Sequence, residues 1–122
     1  MPRKPTIPIE IHAEVQKLVD EFNKEHFKKP NLIMRALFGR TPNPGYSARF
    51  RGGYLYLERF DGLYTLPICR LAWNGAMDNW GFAIYKFSVG RYDPEEWFFP
   101  GANKVNGTVT GAMKAGMDAY PI

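Results

Sequence analysis

The chain is poor in the residues on which compact chemical sites are most often built. Its 122 residues hold one cysteine, Cys69, and two histidines, His12 and His26. One thiol excludes an intramolecular disulfide framework and any zinc site built on paired thiolates. It suits a reducing compartment, so a cytoplasmic location is expected. No apolar run approaches the roughly 20 residues of a membrane span. The opening MPRKPTIPIEIHAEVQ carries positive charge without the unbroken apolar stretch of a secretion signal, so no membrane association is expected. Glycine loops of the G-x-x-x-x-G-K-[ST] or G-x-G-x-x-G kind, which cradle phosphates, are missing. So are internal repeats and low-complexity tracts.

What is present is apolar and aromatic. With 45% hydrophobic and 16% aromatic residues, the composition is that of a folded protein, and the length suits one domain over residues 1–122 with its own core. The formal charge is +4 and unevenly placed. Residues 28–59 carry Lys28, Lys29, Arg35, Arg40, Arg49, Arg51 and Arg59 against Glu58, a net of +6 that leaves −2 for the rest. A localised basic excess favours an anionic partner such as nucleic acid, although the same charge also serves solubility alone.

Ile11, Val15, Leu18, Val19 and Phe22 recur at helical spacing, with Pro8 suited to the first turn and Lys28-Lys29-Pro30 marking the end. Glu14, Lys17, Asp20, Glu21, Lys24 and Glu25 form the solvent face of this helix. Residues 31–38 fit either a short strand or a helical turn, and Thr41-Pro42-Asn43-Pro44-Gly45 reads as a loop. The clearest local signal follows. Tyr46 to Arg51 and Tyr54 to Phe60 are β-prone runs around Gly52-Gly53, a two-residue hairpin turn. That turn sets Arg51 opposite Tyr54, Phe50 opposite Leu55, Arg49 opposite Tyr56, Ala48 opposite Leu57 and Ser47 opposite Glu58. Alternation then collects Ala48, Phe50, Leu55 and Leu57 on an apolar face, and Ser47, Arg49, Arg51, Tyr54, Tyr56 and Glu58 on the other.

Leu66 to Trp73, opened by Pro67, reads as a third strand and Trp80 to Ser88 as a fourth. Asp93-Pro94-Glu95-Glu96 predicts a short helical turn around Trp97. Val109, Ala112, Met113, Gly116, Met117 and Tyr120 predict a last helix. Gly111 and Gly116 each cost that helix about 1 kcal/mol relative to alanine, so it must be held by close packing. The expected architecture is α+β, an antiparallel four-stranded meander with the N-terminal and C-terminal helices on the Phe50, Leu55 and Leu57 face.

Catalysis needs convergent groups, and the pattern offers none. The histidines stand 14 residues apart, about four turns along one helix, too far to share a metal. His12-Ala13-Glu14 has the first part of a zinc deaminase motif without its Pro-Cys-x-x-Cys. Cys69 reads as a small core residue. Asp93, Glu95 and Glu96 read as capping acids, and Asp61 and Asp78 as turn residues. No catalytic residue, metal site or cofactor is expected, and the chain reads as a binding module.

Two surfaces carry that expectation. Arg49, Arg51, Tyr54 and Tyr56, with Arg59 among the flanking basic residues, combine guanidinium and aromatic groups as single-stranded nucleic acid requires: bases stack on rings while arginines meet phosphate. The same residues equally suit cross-strand cation–π pairs that serve the sheet alone. The second surface is Tyr92, Trp97, Phe98 and Phe99, near Trp73 and Trp80. It suits a protein partner, a homodimer contact or a stacked small ligand if some rings stay exposed, and core packing if they do not.

The order of helix, strands and helix resembles the double-stranded RNA-binding domain. That family has a lysine-rich start to its last helix, whereas here Thr108-Val109-Thr110-Gly111-Ala112-Met113-Lys114 holds one lysine, so its RNA-binding residues do not carry over. The stretch Trp80-Gly81-Phe82-Ala83-Ile84-Tyr85-Lys86-Phe87-Ser88, with Trp97 and Gly107-Thr108, resembles short bacterial proteins grouped as a domain of unknown function. That resemblance implies a bacterial accessory protein and supplies no site.

Overall fold

The computed structural model describes residues 6–27 and 44–121. Lys28, Lys29, Arg35 and Arg40 of the basic stretch, the segment 31–38 and loop residues 41–43 lie outside the described residues.

Helix α1 (Ile9–His26) begins after Pro8 and buries Val15, Val19 and Phe22 of the expected stripe. Strands β1 (Gly45–Arg51) and β2 (Tyr54–Phe60) form the hairpin, with every expected partner in place from Ser47 opposite Glu58 to Arg51 opposite Tyr54. Gly52 supplies the left-handed residue of the turn, at φ +58°. Strands β3 (Thr65–Ala72), β4 (Gly81–Lys86) and β5 (Arg91–Asp93) continue an antiparallel sheet in sequential order. Helix α2 (Val109–Ala119) closes the fold, its first turn capped by Thr108, whose Oγ1 accepts from the Gly111 N–H at 3.0 Å.

The sheet therefore has five strands where four were expected. The helical turn expected at Asp93 is replaced by β5, which pairs Tyr92 with Tyr85 and Asp93 with Ile84. Asp93 still serves the backbone, its Oδ1 accepting from the Glu95 N–H at 3.0 Å. It does so at the end of a strand, after the Val89-Gly90 turn, and the chain forms a 3-10 turn later, at Ala102–Lys104.

Both helices pack on the face predicted to be apolar. Tyr46, Leu55, Leu57, Ile68, Cys69, Leu71, Phe82 and Ile84 of the sheet share one core with Val15, Val19 and Phe22 of α1 and Val109, Ala112 and Met113 of α2. The Tyr46 hydroxyl donates to the Met113 carbonyl at 2.8 Å. Gly116 makes that approach possible, since a Cβ there would collide with the Tyr46 hydroxyl and the Ile68 side chain. Gly111 instead leaves room for the Lys104 carbonyl and Asn106. Pro67 sits where the β2–β3 register shifts beside Leu57 and Glu58, a bulge in which its missing N–H is tolerated.

The outer edge of β1 is stoppered at both ends. Asn23 of α1 donates from Nδ2 to the Tyr46 carbonyl and accepts the Tyr46 N–H on Oδ1, both at 2.8 Å. At the other end the Ile7 N–H donates to the Gly52 carbonyl at 3.1 Å. Such contacts withhold an edge strand from pairing with other chains.

Candidate functional site

With both helices on one face, the other face of the sheet carries an array of arginine and tyrosine. The Arg49 guanidinium lies 4.3 Å from the Tyr56 ring centre, as the register of the hairpin predicts. Arg70 of β3 stands opposite Tyr56, and its guanidinium lies 4.4 Å from the Tyr54 ring and 5.6 Å from the Tyr92 ring. Tyr92 meets Tyr56 edge to face at 5.4 Å and Tyr85 at 5.0 Å. Ala83, opposite Arg70, is 3% exposed, so its larger neighbours close over it. Two Arg-on-Tyr stacks thus sit side by side, and rings continue across β4 and β5.

Arg49, Tyr54 and Tyr56 are brought together as predicted, and Arg51 is exposed on the same side of β1. Arg59 is not part of this surface. It pairs with Tyr46 on the helix side and is 2% exposed. Its guanidinium donates to the Gly116 carbonyl at 3.3 Å, to Met117 Sδ and to the Tyr120 carbonyl, so it satisfies carbonyls at the C-terminal end of α2. The alternation that turns Leu57 inward turns Arg59 inward too; the hairpin register carried this signal, and the positive charge obscured it.

Arg70 and Tyr85 escaped the sequence reading, and Tyr92 was assigned to the other surface. Their side of the sheet depends on the β2–β3 bulge and on the existence of β5, neither of which local alternation reveals.

The array is basic with one acid inside it. Arg49, Arg51 and Arg70 share this face with Glu58, whose Oε1 accepts from Arg49 Nε at 2.8 Å. That hydrogen bond raises the Arg49 pKa above its ordinary value. Burial among its neighbours pushes the Tyr92 phenol up to about 12, with the nearby Glu58 charge adding to the effect.

The aromatic segment divides between surfaces. Tyr92 joins the open face, while Trp97 and Phe99 lie 5.8 and 5.9 Å from Phe82, on the core side. Phe99 is partly buried there, Trp97 is half-exposed and Phe98 is 97% exposed. Trp73 and Trp80 are buried, edge to face at 4.8 Å. These residues form no continuous surface with Tyr92.

Groups considered for catalysis have structural partners. His12 stacks on Phe50 at 3.8 Å and His26 on Phe22 at 4.0 Å. Cys69 is fully buried, and burial raises its thiol pKa. Asp61 accepts the Leu63 and Tyr64 N–H groups. Glu96 accepts the Phe98 N–H and pairs with Lys86 at 2.9 Å. Among the described residues no three His, Cys, Asp or Glu side chains are grouped to hold a metal, and no helix is long and apolar enough to cross a membrane.

Fold and site together define an α+β domain with a helix-covered sheet face and an open Arg/Tyr face. No family model, curated protein or solved structure matches the chain.

Proposed function

We propose that the chain is a binding module that takes single-stranded nucleic acid on its open sheet face and works in the cytoplasm. The observation that carries this reading is the pair of adjacent stacks, Arg49 on Tyr56 and Arg70 on Tyr54, on the face opposite the helices. A guanidinium plane held on a tyrosine offers both a stacking surface for an unpaired base and donors for a phosphate. Three arginines against Glu58 supply the complementary charge. Bases must be unstacked to lie on such a surface, which favours single strands over duplex.

Fluorescence anisotropy of labelled single-stranded RNA and DNA tests this. If the three arginines each meet a phosphate, affinity falls about twentyfold between about 50 and 200 mM salt. Arg70→Ala and an Arg49→Ala/Tyr56→Ala double variant weaken binding further while the fold is kept. No binding at the lower salt rejects the reading.

A second reading rests on Phe98, 97% exposed beside half-exposed Trp97: a protein or homodimer contact, or a stacked small ligand, on that segment. Sedimentation of wild type beside Phe98→Ser tests the homodimer form, which requires a dimer in the former that is lost in the latter.

A further inference from the structure

An acid in the middle of a basic binding face opposes phosphate, and its placement calls for a reason. Glu58 stands on the open face one alternation from Tyr56, with its side chain 25% exposed. One carboxylate oxygen is engaged by Arg49 Nε; the other accepts no hydrogen bond among the described residues. Its cross-strand neighbours are Ser47 on β1 and Pro67 on β3, and Pro67 has no N–H to offer. Glu58 is thus anchored by Arg49 beside the Arg49–Tyr56 stack, with acceptor capacity left over.

Resting on the reading of this face as a single-strand platform, we propose that Glu58 selects the base that stacks there, favouring guanine. A carboxylate only accepts hydrogen bonds, so it rewards a base edge that presents donors. Guanine alone among the common bases presents two adjacent donors, N1–H and the N2 amino group, on its Watson–Crick edge. Uracil presents one donor between two carbonyls, which a carboxylate repels, and adenine and cytosine each present one amino group beside a bare ring nitrogen. Carboxylates read amino groups on bases in this way elsewhere in nucleic-acid recognition, and single-strand modules read the Watson–Crick edge while they stack the ring. Arg49 holds the acid in place, which makes it a positioning residue for this selection as well as a phosphate contact.

The test measures binding of the full chain to four labelled RNA oligonucleotides: an all-uridine strand and the same strand with one central guanine, adenine or cytosine. Wild type binds the guanine strand about tenfold tighter than the all-uridine strand. In Glu58→Gln, isosteric and uncharged, that advantage shrinks to about twofold or less, while the all-uridine strand binds as well as before or better because a negative charge is gone. A role limited to pinning Arg49 would change affinity for all four strands alike and leave their ratios intact. Equal binding of the four strands by wild type, or a guanine advantage that survives Glu58→Gln, overturns the selection and leaves the platform standing. Absence of binding to every strand at low salt overturns both.

Discussion

The hairpin places tyrosine–arginine cross-strand pairs on both faces of the sheet, and Tyr46–Arg59 and Arg49–Tyr56 live in different physical worlds. Tyr46 and Arg59 face the helices: both are almost fully buried, the guanidinium 5.8 Å from the ring and bonded to carbonyls of α2. Arg49 and Tyr56 face away, with the Arg49 side chain 54% exposed and held by Glu58. A buried guanidinium without a carboxylate partner is costly to desolvate and persists only where carbonyls satisfy it. The exposed pair meets no such demand, and its contact is worth about 0.5 to 1 kcal/mol. The same residue types are buried and bonded to carbonyls on one side and open to solvent on the other, and the faces follow from an alternation of period two.

The largest effect that would break this comparison is at Arg59. Arg59→Ala removes a buried stem and takes away the donor to the Tyr120 carbonyl, while the Gly116 carbonyl keeps only the Tyr120 N–H, so stability in urea denaturation falls by about 3 kcal/mol or more. A loss as small as that at an exposed arginine would show that burial does not distinguish the pairs. Next comes Asn23→Ala, which strips both partners from Tyr46 at the β1 edge. It costs about 1 to 3 kcal/mol and raises concentration-dependent association in sedimentation, because the edge is no longer stoppered.

On the open face, Arg49→Ala costs under about 1 kcal/mol of stability while weakening nucleic-acid binding, the reverse of the Arg59 outcome. A stability loss approaching that of Arg59→Ala would make the open pair structural as well.

The smallest expected effect is electrostatic. Asp61 is partly exposed, and its carboxyl is held below the ordinary 3.8 by the N–H groups of Tyr64 and Leu63. A depressed carboxylate pKa favours the folded state above the ordinary value, and that contribution is lost as pH falls through the lower folded value. Wild type and Asp61→Asn, followed in urea from neutral pH to below 3.8, should therefore converge in midpoint as the carboxyl protonates.

Much of this was legible in the residues because short-range rules govern it. A two-glycine turn leaves one register that separates Phe50, Leu55 and Leu57 from Arg49, Tyr54 and Tyr56, and the structure has that register. The stripe of α1 and the weak, glycine-bearing α2 were legible for the same reason. The strand Arg91–Asp93 was not: three residues are too few for alternation to show, and Asp93-Pro94 mimics a helix start. Two rings of the candidate site were lost with it, because Tyr92 and Tyr85 meet only once β5 pairs with β4.

By itself the sequence determined the α+β class, the hairpin register and the face on which each hairpin residue lies, since helical and strand periodicities act between neighbours in the chain. Tertiary structure alone decided that Arg70, Tyr85 and Tyr92 join Arg49, Tyr54 and Tyr56, because that depends on a bulge and on strand order. It alone supplied Arg59 with carbonyl partners from a helix 57 residues further along. Those contacts form between segments with no local signal for one another, and the burial of a shared core brings them together.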